Sequence, residues 1–362
     1  MASTPPNPAS PSDGKRPAPR REHGGGRVER HYATTTSDTP GLLRVLVADS
    51  EEGTEITGAD ALARLPGLLG AGKPAVWADL VAPTAVQAQE VGKALALHQL
   101  IIEDVLEGNQ RAKIEATEGV VHIVLFHLEY GDHVTASELD IVLGDGFLLT
   151  VHDGDWDPRT AHHLQSGIGT VMQRGADHLL WAIADDLIDG YFPFADRIGD
   201  AIDEVQDAVV RKATPDALES LFDLKRELIQ VRRRISPVRE VFNQLTNRDE
   251  QLISEDEIVY FRDIYDHVIR LTDELDNYRE LASATLDVYL TQVNNNLSVI
   301  MKRLTGVTVI LAGIGAVAGI FGMSEATTAL KGGEGSGFWA ITAFVVAAAG
   351  VAALVLRKID WI

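Results

Sequence analysis

Apolar and polar positions change their period twice along this chain, and each change marks a boundary. Between residues 40 and 157 the apolar residues come in short runs: Leu42–Val47, Ala75–Leu80, Val120–Phe126 and Phe147–His152. The runs are rich in β-branched or aromatic residues and bounded by Gly and Asp, which predicts strands. Among them Ala82–Leu97 has helical spacing, with Pro83 and Thr84 placed to start it. A mixed α/β domain is therefore expected over 40–157. From 158 to 303 apolar residues recur every three or four positions with acids and bases between, most regularly across Leu218–Asn243 and Asp256–Arg303. That is the period of amphipathic helices. Pro193, Pro215 and Pro237 are the expected punctuation. No Pro or Gly interrupts the 48 residues from Asp256 to Arg303, and as one helix they extend roughly 70 Å.

The second change is the loss of charge. Leu304–Met323 (20 residues) and Phe338–Leu356 (19 residues) carry none, and each is long enough to cross a bilayer core as a helix. Lys302 and Arg303 precede the first span, and Arg357 and Lys358 follow the second. The positive-inside tendency then puts both termini, with the basic C-terminus 357–362, in the cytoplasm of a cell-membrane protein and the loop 324–337 outside. Two helices cannot enclose an aqueous path, so they either anchor or assemble with copies. Gly306, Gly313, Gly315, Gly319 and Gly322 favour close helix approach. At spacings of four and three, one stripe runs Asp287, Thr291, Asn294, Ser298, Met301, Thr305, Thr308, Ala312, Gly315. Such a period keeps one face toward a shared axis. Around a ring axis the stripe would line a wet funnel that narrows at Met301 and Leu304. The alternative is a solvated helix face below the membrane with lipid-facing threonines within it.

Composition narrows the function. Acids outnumber bases 53 to 32, a net charge of −21, which argues against nucleic acid as a partner. The absence of cysteine excludes disulfides and thiolate metal sites. Residues 1–39 read as a disordered tail, rich in Pro, Gly and basic residues, without the apolar core of a signal peptide. Across residues 32–303 the balance is 47 acids to 23 bases. The negative charge thus belongs to the expected cytoplasmic body, which suits cationic partners.

The run from Asn294 through Met301, Lys302, Arg303, Leu304 and Thr305, continuing to Gly322-Met323-Ser324, resembles the CorA family of divalent-cation transporters. So do His98 to Leu106 with Gln110, Arg111 and Lys113, the strand-like Glu138–Gly144 and Phe147–His152, Leu224–Leu228 with Ser236–Glu240, Tyr260–His267, Leu286–Leu290 and the Trp-bearing C-terminus. The resemblance spans roughly residues 40–362. It implies an α/β cytoplasmic domain, long helices and two C-terminal transmembrane helices in a funnel-shaped homopentamer. The first span, 304–323, would line the pore and the second, 338–356, would face lipid. The implied cargo is Mg2+, with Co2+, Ni2+ or Zn2+ as further transported ions. By motif position Asp104 and Asp263 would bind a regulatory Mg2+ between subunits. Asp287 and Asn294 would line the cytoplasmic pore, Met301 and Leu304 would gate it, and Gly322, Met323 and Ser324 would form the outer mouth.

This chain departs from the family at that mouth, where the signature is Gly-Met-Asn and Ser324 stands in place of Asn. A hydroxyl is shorter than an amide and both donates and accepts, so altered ion preference is expected. Two other readings stand beside the Mg2+ transporter: a ZntB-type zinc transporter, and a non-conducting Mg2+ sensor. An enzyme is not expected, since no nucleophile–base arrangement is found. Gly67–Lys73 has P-loop spacing, but Pro74 replaces the Mg2+-binding hydroxyl and a strand follows instead of a helix. His162 and His163 read as surface residues.

Overall fold

The computed structural model describes residues 41–70, 72–108, 110–131, 134–246, 252–323 and 336–358; for 321–323, 336–338, 340 and 341 it describes the backbone alone. The expected N-terminal tail, Ser324 with nearly all of the outer loop, and residues 359–362 lie outside the described residues.

The strand-like runs form strands, and two more join them. In chain order the first half holds β1 (Leu42–Val47), β2 (Thr54–Thr57), α1 (Gly58–Leu68), β3 (Val76–Val81), α2 (Ala85–Ala94), α3 (Gln99–Glu107), β4 (Lys113–Thr117), β5 (Val120–Tyr130), β6 (Val134–Gly144) and β7 (Phe147–His152). They build one seven-stranded sheet in the order β2-β1-β3-β7-β6-β5-β4. Only β3 and β7 pair parallel; the other neighbours are antiparallel. The helix expected at Ala82–Leu97 is the shorter α2. Thr84 caps it by accepting from the Gln87 N–H while the Gln87 side chain accepts from the Thr84 N–H.

The second half is helical, as its period requires: α4 (Ile168–Met172), α5 (Ala176–Asp189), α6 (Tyr191–Arg211), α7 (Pro215–Leu245), α8 (Ile258–Met323) and α9 (Ser336–Lys358). Pro215 starts α7, and Pro193 sits in the first turn of α6, where no N–H is needed. Pro237 does not punctuate. It lies inside α7, flanked by the buried Ile235 and Val238, whose packing holds the helix through the missing hydrogen bond. One core joins β5 and β6 to α5, α6, α7 and the start of α8; another packs α1, α2 and α3 on the opposite face of the sheet. The result is three layers, helix–sheet–helix.

α8 packs along this body from Phe261 to Tyr289, and the same helix continues without a break into the uncharged span. Its stretch Ile258–Ile320 is long and apolar enough to cross a membrane. The second uncharged span falls within α9. The two helices enclose an apolar groove of about 430 Å3 lined by Val309, Ile310, Gly313, Ile314 and Val317 of α8 and by Phe344 and Ala348 among others of α9.

Candidate functional site

Asp104 lies near the end of α3, a helix capped by the His98 imidazole, which accepts from the Leu100 N–H. Gly108 reverses the chain with φ of 54°, and β4 then returns Lys113 to the helix. The Lys113 ammonium is bonded to the Asp104 carboxylate and lies 3.1 Å from Glu115 Oε2. Burial alone would push the Asp104 carboxyl up, but the Lys113 bond and charge outweigh it and hold it below its ordinary value. The same two acids hold the Lys113 ammonium above its ordinary value against the effect of burial. Asp104 is thus already partnered by a tethered cation.

Asp263 lies in the second turn of α8 with its side chain 69% exposed. Its carboxylate is 3.8 Å from His267 Nε2, one helical turn on, and ligand atoms of Asp185, Asp263 and His267 all fall within 4.8 Å of one another. His267 Nδ1 is 3.1 Å from Asp189, and His163 Nε2 is 2.8 Å from Asp185. Burial raises the Asp185 carboxyl. Sequence reading missed Asp185 and His267. His267 was visible as an acid–imidazole pair one turn apart, whereas Asp185 had no local signal. His162 is exposed and His163 partly so, as the surface reading expects, but His163 also lies against Asp185 and the Trp181 ring. Among the described residues no hydrogen bond or ion pair joins Asp104 to Asp263 within the chain.

Immediately before α8, Glu257 is buried and holds two partners from the α4–α5 region, Arg174 Nη2 and His178 Nδ1, each at 2.8 Å. Tyr260 packs on Trp181 and under the Arg174 guanidinium. This clamp fixes the first turn of the long helix to the helical layer of the domain.

Along α8, Asp287, Thr291, Asn294, Ser298, Met301, Thr305, Thr308, Ala312 and Gly315 are all exposed, and Leu304 with them. Ile310, Ile314 and Val317, which face α9, are partly buried. The polar stripe is therefore on a different face from the one that packs on the second helix. Thr291 Oγ1 donates to the Asp287 carbonyl and Thr308 Oγ1 to the Leu304 carbonyl, at 2.8 and 2.7 Å. With its hydrogen used on its own helix, each hydroxyl has only acceptor lone pairs to offer outward. That polarity suits cations. Gly322 and Met323 are the last residues described in α8.

Known proteins show the same architecture. A cobalt/magnesium transport protein CorA of Thermotoga maritima is 32% identical over 241 residues, 65% of this chain and 69% of that one. The complete structure of the CorA magnesium transporter from Methanocaldococcus jannaschii superposes with a TM-score of 0.71 at 20% identity, over 90% of this chain and 99% of that one. The ZntB cytoplasmic domain from Vibrio parahaemolyticus superposes at 0.57 and 11% identity, over 71% of this chain and all of that one. At those identities the two superpositions speak for the fold alone.

The three-layer domain, the continuous helix with its polar stripe and the sequence relatives define a transporter of divalent cations, not an enzyme. The chain belongs to the CorA-like Mg2+ transporter protein family, whose model matches residues 72–358.

Proposed function

We propose that this chain is a Mg2+ channel of the cell membrane that also passes Co2+ and Ni2+, works as a homopentamer and keeps both termini in the cytoplasm. The observation that carries this reading is the placement of the polar stripe. α9 covers one face of α8, and the face from Asp287 to Gly315 stays exposed. Five copies turning that face to a common axis would bury it around water. Asp287 and Asn294 then offer oxygen ligands at the cytoplasmic end, Met301 and Leu304 form an apolar constriction that closes by excluding water, and Gly322, Met323 and Ser324 receive the ion outside. Lipid meets the exposed apolar residues of both helices, Leu311, Ile320, Phe344 and Leu354 among them.

Regulation in this reading comes from Mg2+ held between Asp104 of one subunit and Asp263 of the next. The exposure of Asp263 supports it, since a carboxylate open to solvent can take a hydrated Mg2+. Asp104 must exchange Lys113 for that ion or bind it through water. The test uses the full chain reconstituted in proteoliposomes with a Mg2+ indicator. Wild type should admit Mg2+ and gain protease protection as Mg2+ rises. Asp104→Ala/Asp263→Ala should keep the flux and lose the protection. No flux from wild type would reject the channel, and unchanged protection in the double variant would reject the pair as sensor.

A further inference from the structure

Three side chains beside Asp104 are used by neither the pore nor the pairing with Asp263, yet the sheet aligns them. β4 and β5 pair with Glu115 opposite His122, and β5 and β6 pair with His122 opposite Val142. Opposed residues share a face, and so do residues two apart along a strand, so Glu115, His122 and Asp140 all point to one side. His122 Nε2 is 3.0 Å from Asp140 Oδ1, and the two side chains are 1% and 2% exposed. The other ring nitrogen, Nδ1, is buried with no hydrogen-bond partner. A carboxylate acceptor at Nε2 fixes the proton there and leaves Nδ1 a lone pair. A ring nitrogen of His122 and carboxylate oxygens of Asp104 and Glu115 lie within 4.8 Å of one another. The Lys113 ammonium already sits between those two carboxylates.

We propose that Asp104, Glu115 and His122 Nδ1 form a transition-metal site within one subunit, oriented by Asp140 and guarded by Lys113, whose ammonium the metal displaces. The donor set decides the class of ion. One neutral imidazole with two carboxylates suits Zn2+, Co2+ or Ni2+, whereas Mg2+ takes oxygen ligands and keeps its waters. The carboxylate behind the imidazole is the usual support of a metal-bound histidine. The site needs neither Asp263 nor a second subunit. If the Mg2+ pairing described above holds, a transition metal here would also draw Asp104 away from it.

The experiment titrates Co2+ into the full chain in detergent with Mg2+ in large excess, read by competition with a chelating dye. Wild type should retain one Co2+ site per chain that Mg2+ does not displace. Asp140→Asn should weaken that site by ~10- to 100-fold, Glu115→Gln should weaken it measurably, and Lys113→Met should tighten it. Glu115 and Lys113 lie on the edge strand at the surface, so those two variants decide the matter even if the buried Asp140 variant fails to fold. Asp263→Ala should leave Co2+ binding intact while removing Mg2+-dependent protease protection, which separates this proposal from the sensor. Equal Co2+ affinity in wild type, Glu115→Gln and Lys113→Met, or loss of the site in Asp263→Ala, would overturn it.

Discussion

Replacing Glu257 with alanine should loosen the root of the long helix while leaving its far end alone. The carboxylate is buried, accepts from His178 and Arg174, and sits just before the first residue of α8. Truncation strands the His178 donor in a buried site, which costs about 1–3 kcal/mol. It also removes an anion from a helix N-terminus, worth about 0.3–1 kcal/mol. Arg174 is 48% exposed and finds water, so its loss adds little. The sum, about 1.3–4 kcal/mol, corresponds to roughly 8- to 700-fold faster local opening at 1.4 kcal/mol per tenfold. Glu257→Gln keeps an acceptor for His178 and should cost about 1 kcal/mol. Hydrogen exchange read by mass spectrometry on the first two turns of α8 and on α5 measures both variants in the full chain. If Glu257→Gln opens the segment as much as Glu257→Ala, or neither speeds exchange, the clamp is not what fixes the helix.

A second prediction concerns acid. Burial pushes the Asp157 carboxyl up, but the bonds and charge of Arg159, with the charge of Arg44, win and bring it down from 3.8 to about 2. A depressed carboxyl stabilises the fold fully above its unfolded value near 4, and that contribution is lost as pH falls toward 2. Discounted for partial exposure it amounts to about 1–2 kcal/mol, so Asp157→Asn should flatten the acid limb of a stability–pH curve between pH 4 and 2. At the outer mouth, Ser324→Asn should change the order in which Mg2+, Co2+, Ni2+ and Zn2+ compete for flux in proteoliposomes; an unchanged order would remove Ser324 from selectivity. At the constriction, Leu304→Ser should wet the gate and raise Mg2+ flux at high cytoplasmic Mg2+, and flux that stays low there would place the gate elsewhere.

Much of the architecture was legible because the signals were local. Short runs rich in β-branched or aromatic residues at 42–47 and 147–152 marked strands, Pro83 and Thr84 marked a helix start, and charge-free spans marked the apolar stretches of α8 and α9. Pro237 misled because its cost in a helix interior, ~3 kcal/mol, is offset by packing of Ile235, Val238 and Val241 that no local window reveals. The site was legible only in part. Asp104 and Asp263 came from motifs, but their neighbours Asp185, His163, Glu115 and His122 are brought to them by tertiary contact, as the 78-residue separation of Asp189 and His267 illustrates. Strand register, which places Glu115 opposite His122, is a property of the paired sheet and cannot be read from either strand by itself.

The unbroken run of α8 has a mechanical consequence. From Ile258 to Thr305 the helix is a continuous rod of roughly 70 Å. The domain grips it along its side, through the buried Phe261, Ile264, Val268, Leu271, Leu275, Ala282 and Tyr289, so only the stretch from Tyr289 to Leu304, roughly 20 Å, stands free as an arm. A displacement at Asp263 therefore cannot pivot the helix by itself; it reaches Leu304 only if α6 and α7 shift with α8 as one body.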